Sequence, residues 1–170
     1  MKKLLSLFII ATAFTSCDSS VESEKIAGKW LLDDSRFEKG YMAGDQKDYD
    51  LVKTFLDAYE NMDPQGMVDL SAETVKFHPA DIGGVFDVDM TNTDFIVERQ
   101  SNWDSISRNY IFIMPLKMED SENRVVTTAF TETRYIKDGS SESINFYERL
   151  YINEQDKIMR VVQYSRPPND

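Results

Sequence analysis

Four runs between residues 109 and 164 decide the fold: NYIFIMPLKM (109–118), RVVTTAFTETRYI (124–136), SINFYERLYI (143–152) and KIMRVVQY (157–164). Each is rich in β-branched and aromatic residues and repeats with a period of two, the pattern of a strand with one buried face. Short polar breaks separate them, at Glu119-Asp120-Ser121-Glu122-Asn123, Lys137-Asp138-Gly139-Ser140 and Asn153-Glu154-Gln155-Asp156. Breaks this short favour antiparallel hairpins, so the C-terminal half reads as a four-stranded meander.

Upstream the period lengthens. Tyr49, Leu51, Val52, Phe55, Leu56 and Tyr59 fall on one face of a helix. Asp63-Pro64 supplies a cap and a proline at the first helical position, starting a short second helix that runs to about Leu70. Thr74 to Phe77 is β-prone and ends at His78-Pro79; a loop with Gly83-Gly84 and the segment Val85 to Asp89 follow. Thr91 or Asn92 can cap a third helix with a face of Phe95, Ile96, Val97 and Trp103. Three helices followed by a meander is an α+β domain, spanning 48–170. Before it, residues 26–47 carry Ile26, Trp30, Leu31 and Phe37 but are broken by Gly28, Gly40 and Gly44. This stretch is expected to be an appendage with one short helix at most.

The first seventeen residues, MKKLLSLFIIATAFTSC, read as a basic start, an apolar run of about ten residues, then small residues and a cysteine. That is an export signal, and its apolar run is half the roughly twenty residues that a spanning helix needs. Ala11-Thr12-Ala13 offers an ordinary cleavage site, while Phe14-Thr15-Ser16-Cys17 resembles a lipobox. We favour lipidation at Cys17, with residues 18–25 as a polar tether. The expected partner is therefore a lipid bilayer, reached through two acyl chains that each add about 0.8 kcal/mol per buried CH₂, and the expected location is the bacterial envelope with the domain outside the cytoplasm.

Cys17 is the only cysteine, so the domain forms no internal disulfide and no thiolate zinc site. Cleavage before Cys17 takes away Lys2 and Lys3 and no acid, which moves the formal charge from −11 to −13. So acidic a chain is a poor ligand for nucleic acid.

The order of elements resembles the nuclear transport factor 2-like superfamily, especially its SnoaL-like members. The phrase running from Phe55, Ala58-Tyr59 and Asp63-Pro64 through Met67 and Leu70 to Glu73-Thr74-Val75-Lys76-Phe77-His78-Pro79 is similar to that family's opening. Tyr151-Ile152, Asp156-Lys157-Ile158, Val161 and Tyr164 resemble its final hairpin. The resemblance implies a cone, in which three N-terminal helices pack in a strongly bent, mainly antiparallel sheet around a cavity, with the outer sheet face often used for homodimers. It implies no single chemistry, because the superfamily holds isomerases, cyclases, dehydratases and binding domains.

Candidate chemistry rests on few residues. Glu148 interrupts the apolar row Ile144, Phe146, Leu150 and Ile152; facing a cavity, it would have its pKa raised by desolvation and could act as a general acid or base. The alternatives are an exposed edge or a pair with an arginine on the neighbouring strand. Glu132, in the row Val126, Thr128, Phe130 and Arg134, poses the same question, with Glu132–Arg149 or Arg134–Glu148 pairs as the structural alternative. His78, the only histidine, sits where the resemblance to SnoaL-like proteins implies a polar residue at the mouth of the pocket, suited to proton transfer, or else caps the chain structurally before Pro79. Tyr59, Trp103 and Tyr110 could offer donors to a ligand or serve as core. Asp87 and Asp89, in a segment that reads as loop, are too few for calcium. No phosphate loop, serine elbow or HExxH helix occurs, and neither metal nor cofactor is expected. The preferred reading is a binding domain for a small, partly apolar molecule. The alternatives are an isomerase, dehydratase or cyclase-like enzyme using a pocket glutamate, and an interaction or dimerisation module.

Overall fold

The computed structural model describes residues 25–122 and 124–167. Cys17, the signal and all but the last residue of the tether lie outside the described residues. The chain runs β1 (Gly28–Lys29), β2 (Gly40–Ala43), α1 (Gln46–Glu60), α2 (Pro64–Leu70), β3 (Ser71–His78), β4 (Phe86–Asp89), α3 (Asp94–Gln100), β5 (Trp103–Met118), β6 (Arg124–Ile136), β7 (Ser141–Ile152) and β8 (Ile158–Arg166). The strands form one sheet in the order β1-β2-β5-β6-β7-β8-β3-β4. Every pairing is antiparallel except β3 with β8. The α+β meander expected from the period-two runs is present, and β6 has the expected bounds.

Local chemistry sets the ends of the elements. Asp63 accepts the Gly66 amide at 2.9 Å, and Pro64 occupies the first position of α2. Asn92, one of two expected caps, accepts the Asp94 amide at 2.9 Å just before α3. The β6–β7 turn needs Gly139, whose φ is +87°. In the first turn of α1 the Asp48 carboxylate is buried and held by Arg124. Arg124 also reaches Asp156 at 2.6 Å, tying the first turn of the helix to the β7–β8 hairpin.

The core lies between the helices and one face of the sheet. Val52, Phe55, Leu56 and Tyr59 of α1 meet Val126, Leu150, Ile152 and Ile158. Truncating a side chain as enclosed as Leu56 to alanine costs about 2–5 kcal/mol.

Three expectations need correction. Trp103 does not belong to α3: it opens β5, which starts six residues before the expected Asn109, and Val97 is exposed. Val85 to Asp89 is not loop, since Phe86–Asp89 pairs with β3 as an edge strand. Residues 26–47 hold no separate short helix. Instead β1 and β2 extend the sheet beside β5, and the Tyr41 hydroxyl lies 3.2 Å from Arg149 on the outer sheet face. Gly44 passes so close to Pro115 and Leu116 that a Cβ would sit 2.8 Å from their backbone, so only glycine fits there.

Candidate functional site in the cone

Strand alternation decides which side chains reach the interior. On β7 the inward row is Ile144, Phe146, Glu148, Leu150 and Ile152; on β8 it is Val161 and Gln163, because Glu148 pairs with Gln163 and Leu150 with Val161. Glu148, Val161 and Gln163 of these rows, with Arg108 of β5, the helices α1, α2 and α3 and the inner faces of β3 and β4, enclose a cavity with about 580 Å³ of empty space including its open mouth. Phe55, Met67, Val75, Phe77, Met90 and Phe95 make most of its wall apolar. Its charged and amide groups are Arg99, Arg108, Glu148 and Gln163.

Glu148 is 2% exposed. One carboxylate oxygen accepts from Gln163 Nε2 at 2.6 Å, and no ion pair to Glu148 forms among the described residues. Burial pushes its carboxyl upward; Arg108 and the Gln163 bond oppose the shift, Glu132 adds to it, and Arg99 opposes it. A carboxyl so placed can hold a proton at higher pH than an exposed one, and can exchange it with, or accept a hydrogen bond from, a bound molecule. Neither structural alternative holds for it, since the face is not exposed and Arg134 bonds Glu132 and Glu142 instead.

Glu132 is also buried but is fully engaged. Arg108 donates to one oxygen through Nε at 2.8 Å and Nη2 at 2.6 Å, and Arg134 Nε donates to the other at 2.6 Å. The Arg108 guanidinium lies 4.5 Å from both the Tyr59 and Phe130 rings. Its arginine partners thus come from β5 and its own strand, not from Arg149. Glu132 is a structural anion behind the cavity wall.

Of the expected donors only Tyr59 lines the cavity, and burial raises its hydroxyl to about 12. Trp103 packs edge-on against Tyr59 at 6.4 Å, and Tyr110 packs on Phe130 at 5.5 Å; neither lines the cavity. His78 does not reach it either. Val75 and Phe77 point inward from β3, so His78 points outward, where it pairs across to Val162. Partial desolvation and the nearby cations Arg160 and Lys76 lower its pKa. No cluster of three or more metal-ligating side chains occurs among the described residues, and none of their helices is long and apolar enough to cross a membrane.

Sequence reasoning did not select Arg99, Arg108 or Gln163. Arg108 interrupts the inward row Ile106, Arg108 and Tyr110 as Glu148 interrupts its own. That signal is present in the sequence, and only the late expected start of β5 hid it. Gln163 is identified only by register, which the sequence does not give.

No family model matches the chain, and no curated protein matches it. Solved structures do. A nuclear transport factor 2-like protein of unknown function from Exiguobacterium sp. 255-15 is 14% identical, with a TM-score of 0.56 over 68% of this chain and 98% of that one. A SnoaL-like protein from Shewanella denitrificans, named as a polyketide cyclase, is 8% identical with a TM-score of 0.55 over 72% and 92%. An epoxide hydrolase of M. tuberculosis is 12% identical with a TM-score of 0.54 over 71% and 83%. At such identities the likeness establishes the nuclear transport factor 2-like α+β cone fold and leaves the chemistry to the site.

Proposed function

We propose that the protein is an envelope lipoprotein, anchored through Cys17, whose cone holds a small, partly apolar molecule without transforming it. One observation carries the reading: of the three acid–base candidates, Glu148 alone lines the apolar cavity, while Glu132 is locked between two arginines and His78 faces away. A lone carboxyl hydrogen-bonded to an amide is a good anchor for a polar group on an apolar ligand and an incomplete catalytic set.

The chain incubated with extracts of its host should retain a small molecule detectable by mass spectrometry and melt at a higher temperature than the stripped protein. Val161→Trp, which fills the cavity, should abolish both effects. No retained molecule and no shift would remove the reading. Anchoring is tested separately: Cys17→Ala should move the protein from the detergent phase to the aqueous phase on partitioning, and an unchanged distribution would exclude a lipid on Cys17.

The second reading, an isomerase, dehydratase or cyclase-like enzyme, draws on the desolvation that raises the Glu148 pKa. The known chemistries of proteins with this fold supply a first set of substrates. Turnover lost in Glu148→Gln would favour it, and turnover unchanged in that variant would exclude Glu148 from the role.

A further inference from the structure

Five of the eight arginines are ion-paired, namely Arg36, Arg99, Arg108, Arg124 and Arg134. Arg149, Arg160 and Arg166 have no carboxylate partner among the described residues, although acids exceed bases by 11 in the chain. All three lie on the outer face of β7 and β8, the side of the sheet away from the cone.

At one end of that face the register builds two adjacent rows. In the first, Thr131, Asn145 and Arg166 stand side by side across β6, β7 and β8. Thr131 donates its hydroxyl to Asn145 Oδ1 at 2.7 Å, which fixes the amide so that Asn145 presents its Nδ2 donor. Asn145 and Arg166 thus form a pair of donors. In the second row Ala129 lies between Phe112 and Tyr147, and Tyr164 follows. Tyr147 packs with Tyr164 at 6.3 Å, and both rings are exposed. The small Ala129 between larger side chains leaves a recess, and about 660 Å³ of empty space, including its open mouth, lies along both rows. No acidic side chain lines it.

We propose that this recess is a second ligand site, distinct from the cone, and that it takes a small carboxylate with an aryl or alkyl body. The carboxylate pairs with Arg166 and Asn145 and the body lies on Tyr147 and Tyr164. Side chains two residues apart on a strand are separated by about 7 Å, which matches an acid whose ring stands two or three bonds from its carboxyl. A guanidinium supplies the planar, twin-donor geometry that a carboxylate accepts.

The test uses the full chain with 3-phenylpropionate and its neutral isostere 3-phenylpropionamide, followed by titration calorimetry. The acid should bind about tenfold more tightly than the amide. Arg166→Gln should abolish that margin, Tyr164→Ala should weaken acid and amide alike, and Glu148→Gln should leave both unchanged. Arg166 and Tyr164 are exposed, so each variant should keep the wild-type circular dichroism spectrum. Equal affinities for acid and amide, no saturable binding, or loss in Glu148→Gln in place of Arg166→Gln would overturn the proposal. Failure of the cone reading leaves this outcome untouched, since Val161→Trp blocks the cone alone.

Discussion

Replacing Arg108 with methionine tests the claim that the wall behind the cavity is held by charge. The side chain is 4% exposed. It donates twice to Glu132 at 2.8 and 2.6 Å and lies over two aromatic rings. Methionine keeps most of the apolar contact and removes the cation, leaving Glu132, 1% exposed, with Arg134 alone. Removing one partner of a buried pair costs about 3–5 kcal/mol. The lower end applies here, because Arg134 Nε still holds one oxygen of Glu132. For a domain of this size about 3 kcal/mol lowers Tm by roughly 6–12 °C. Urea unfolding gives the free energy directly. Adding Glu132→Gln to the same chain removes the stranded charge and should recover about half the loss, because the glutamine oxygen still accepts from Arg134. A loss under about 1 kcal/mol in the single variant, or additive losses in the double, would refute the reasoning.

Three further predictions test the site and its frame. Burial raises the Glu148 pKa above its ordinary 4.5, so the folded state keeps that proton to higher pH than the unfolded chain. Wild-type stability relative to Glu148→Gln should therefore be greatest at low pH and fall as pH rises past 4.5 and through the folded value; a difference flat with pH, read from urea midpoints, would contradict this. Asp63→Ala removes the cap on Gly66 and should cost about 1 kcal/mol, measured by the same method. Gly44→Ala should destabilise the junction of β2 and α1, where backbone fills the space a Cβ needs, and calorimetry should show a lower Tm with unchanged cavity binding.

The parts of the fold that could be read from the sequence are those where one local rule acts alone. The period-two runs mark β6, β7 and β8 because each has one buried face, and Asp63-Pro64 marks α2 because capping and proline geometry are local. The reading failed where tertiary pairing overrides a local signal. Trp103 looks like the last turn of a helix by spacing, yet α3 ends at Gln100 and the chain turns directly into β5. Asp87 and Asp89 look like loop residues, but the sheet tolerates them on an edge strand whose outward side meets water. Gly28 and Gly40 do not break the N-terminal segment, because they pair with Tyr41 and Lys29 in a hairpin.

The same contrast explains the candidate site. Glu148 was legible because a charge among apolar neighbours on an alternating strand has one address, the buried face. Its role depends on something alternation cannot supply, the identity of the residue opposite. Register sets Gln163 against Glu148 and Arg108 against Glu132, so one of two similar carboxyls meets a neutral amide and the other a guanidinium. The first keeps a raised pKa in the cavity, and the second becomes a fixed anion of the wall. A shift of one residue in the β7–β8 pairing would turn one strand over relative to the other and take Gln163 from Glu148. Replacing the residue opposite Glu148 tests this division directly. Gln163→Arg should convert Glu148 into a fixed anion, so the pH dependence predicted for its carboxyl should reverse, with stability lost as pH falls, while the fold is retained. A Gln163→Arg chain that kept the wild-type pH profile would show that the opposing residue does not set the state of Glu148.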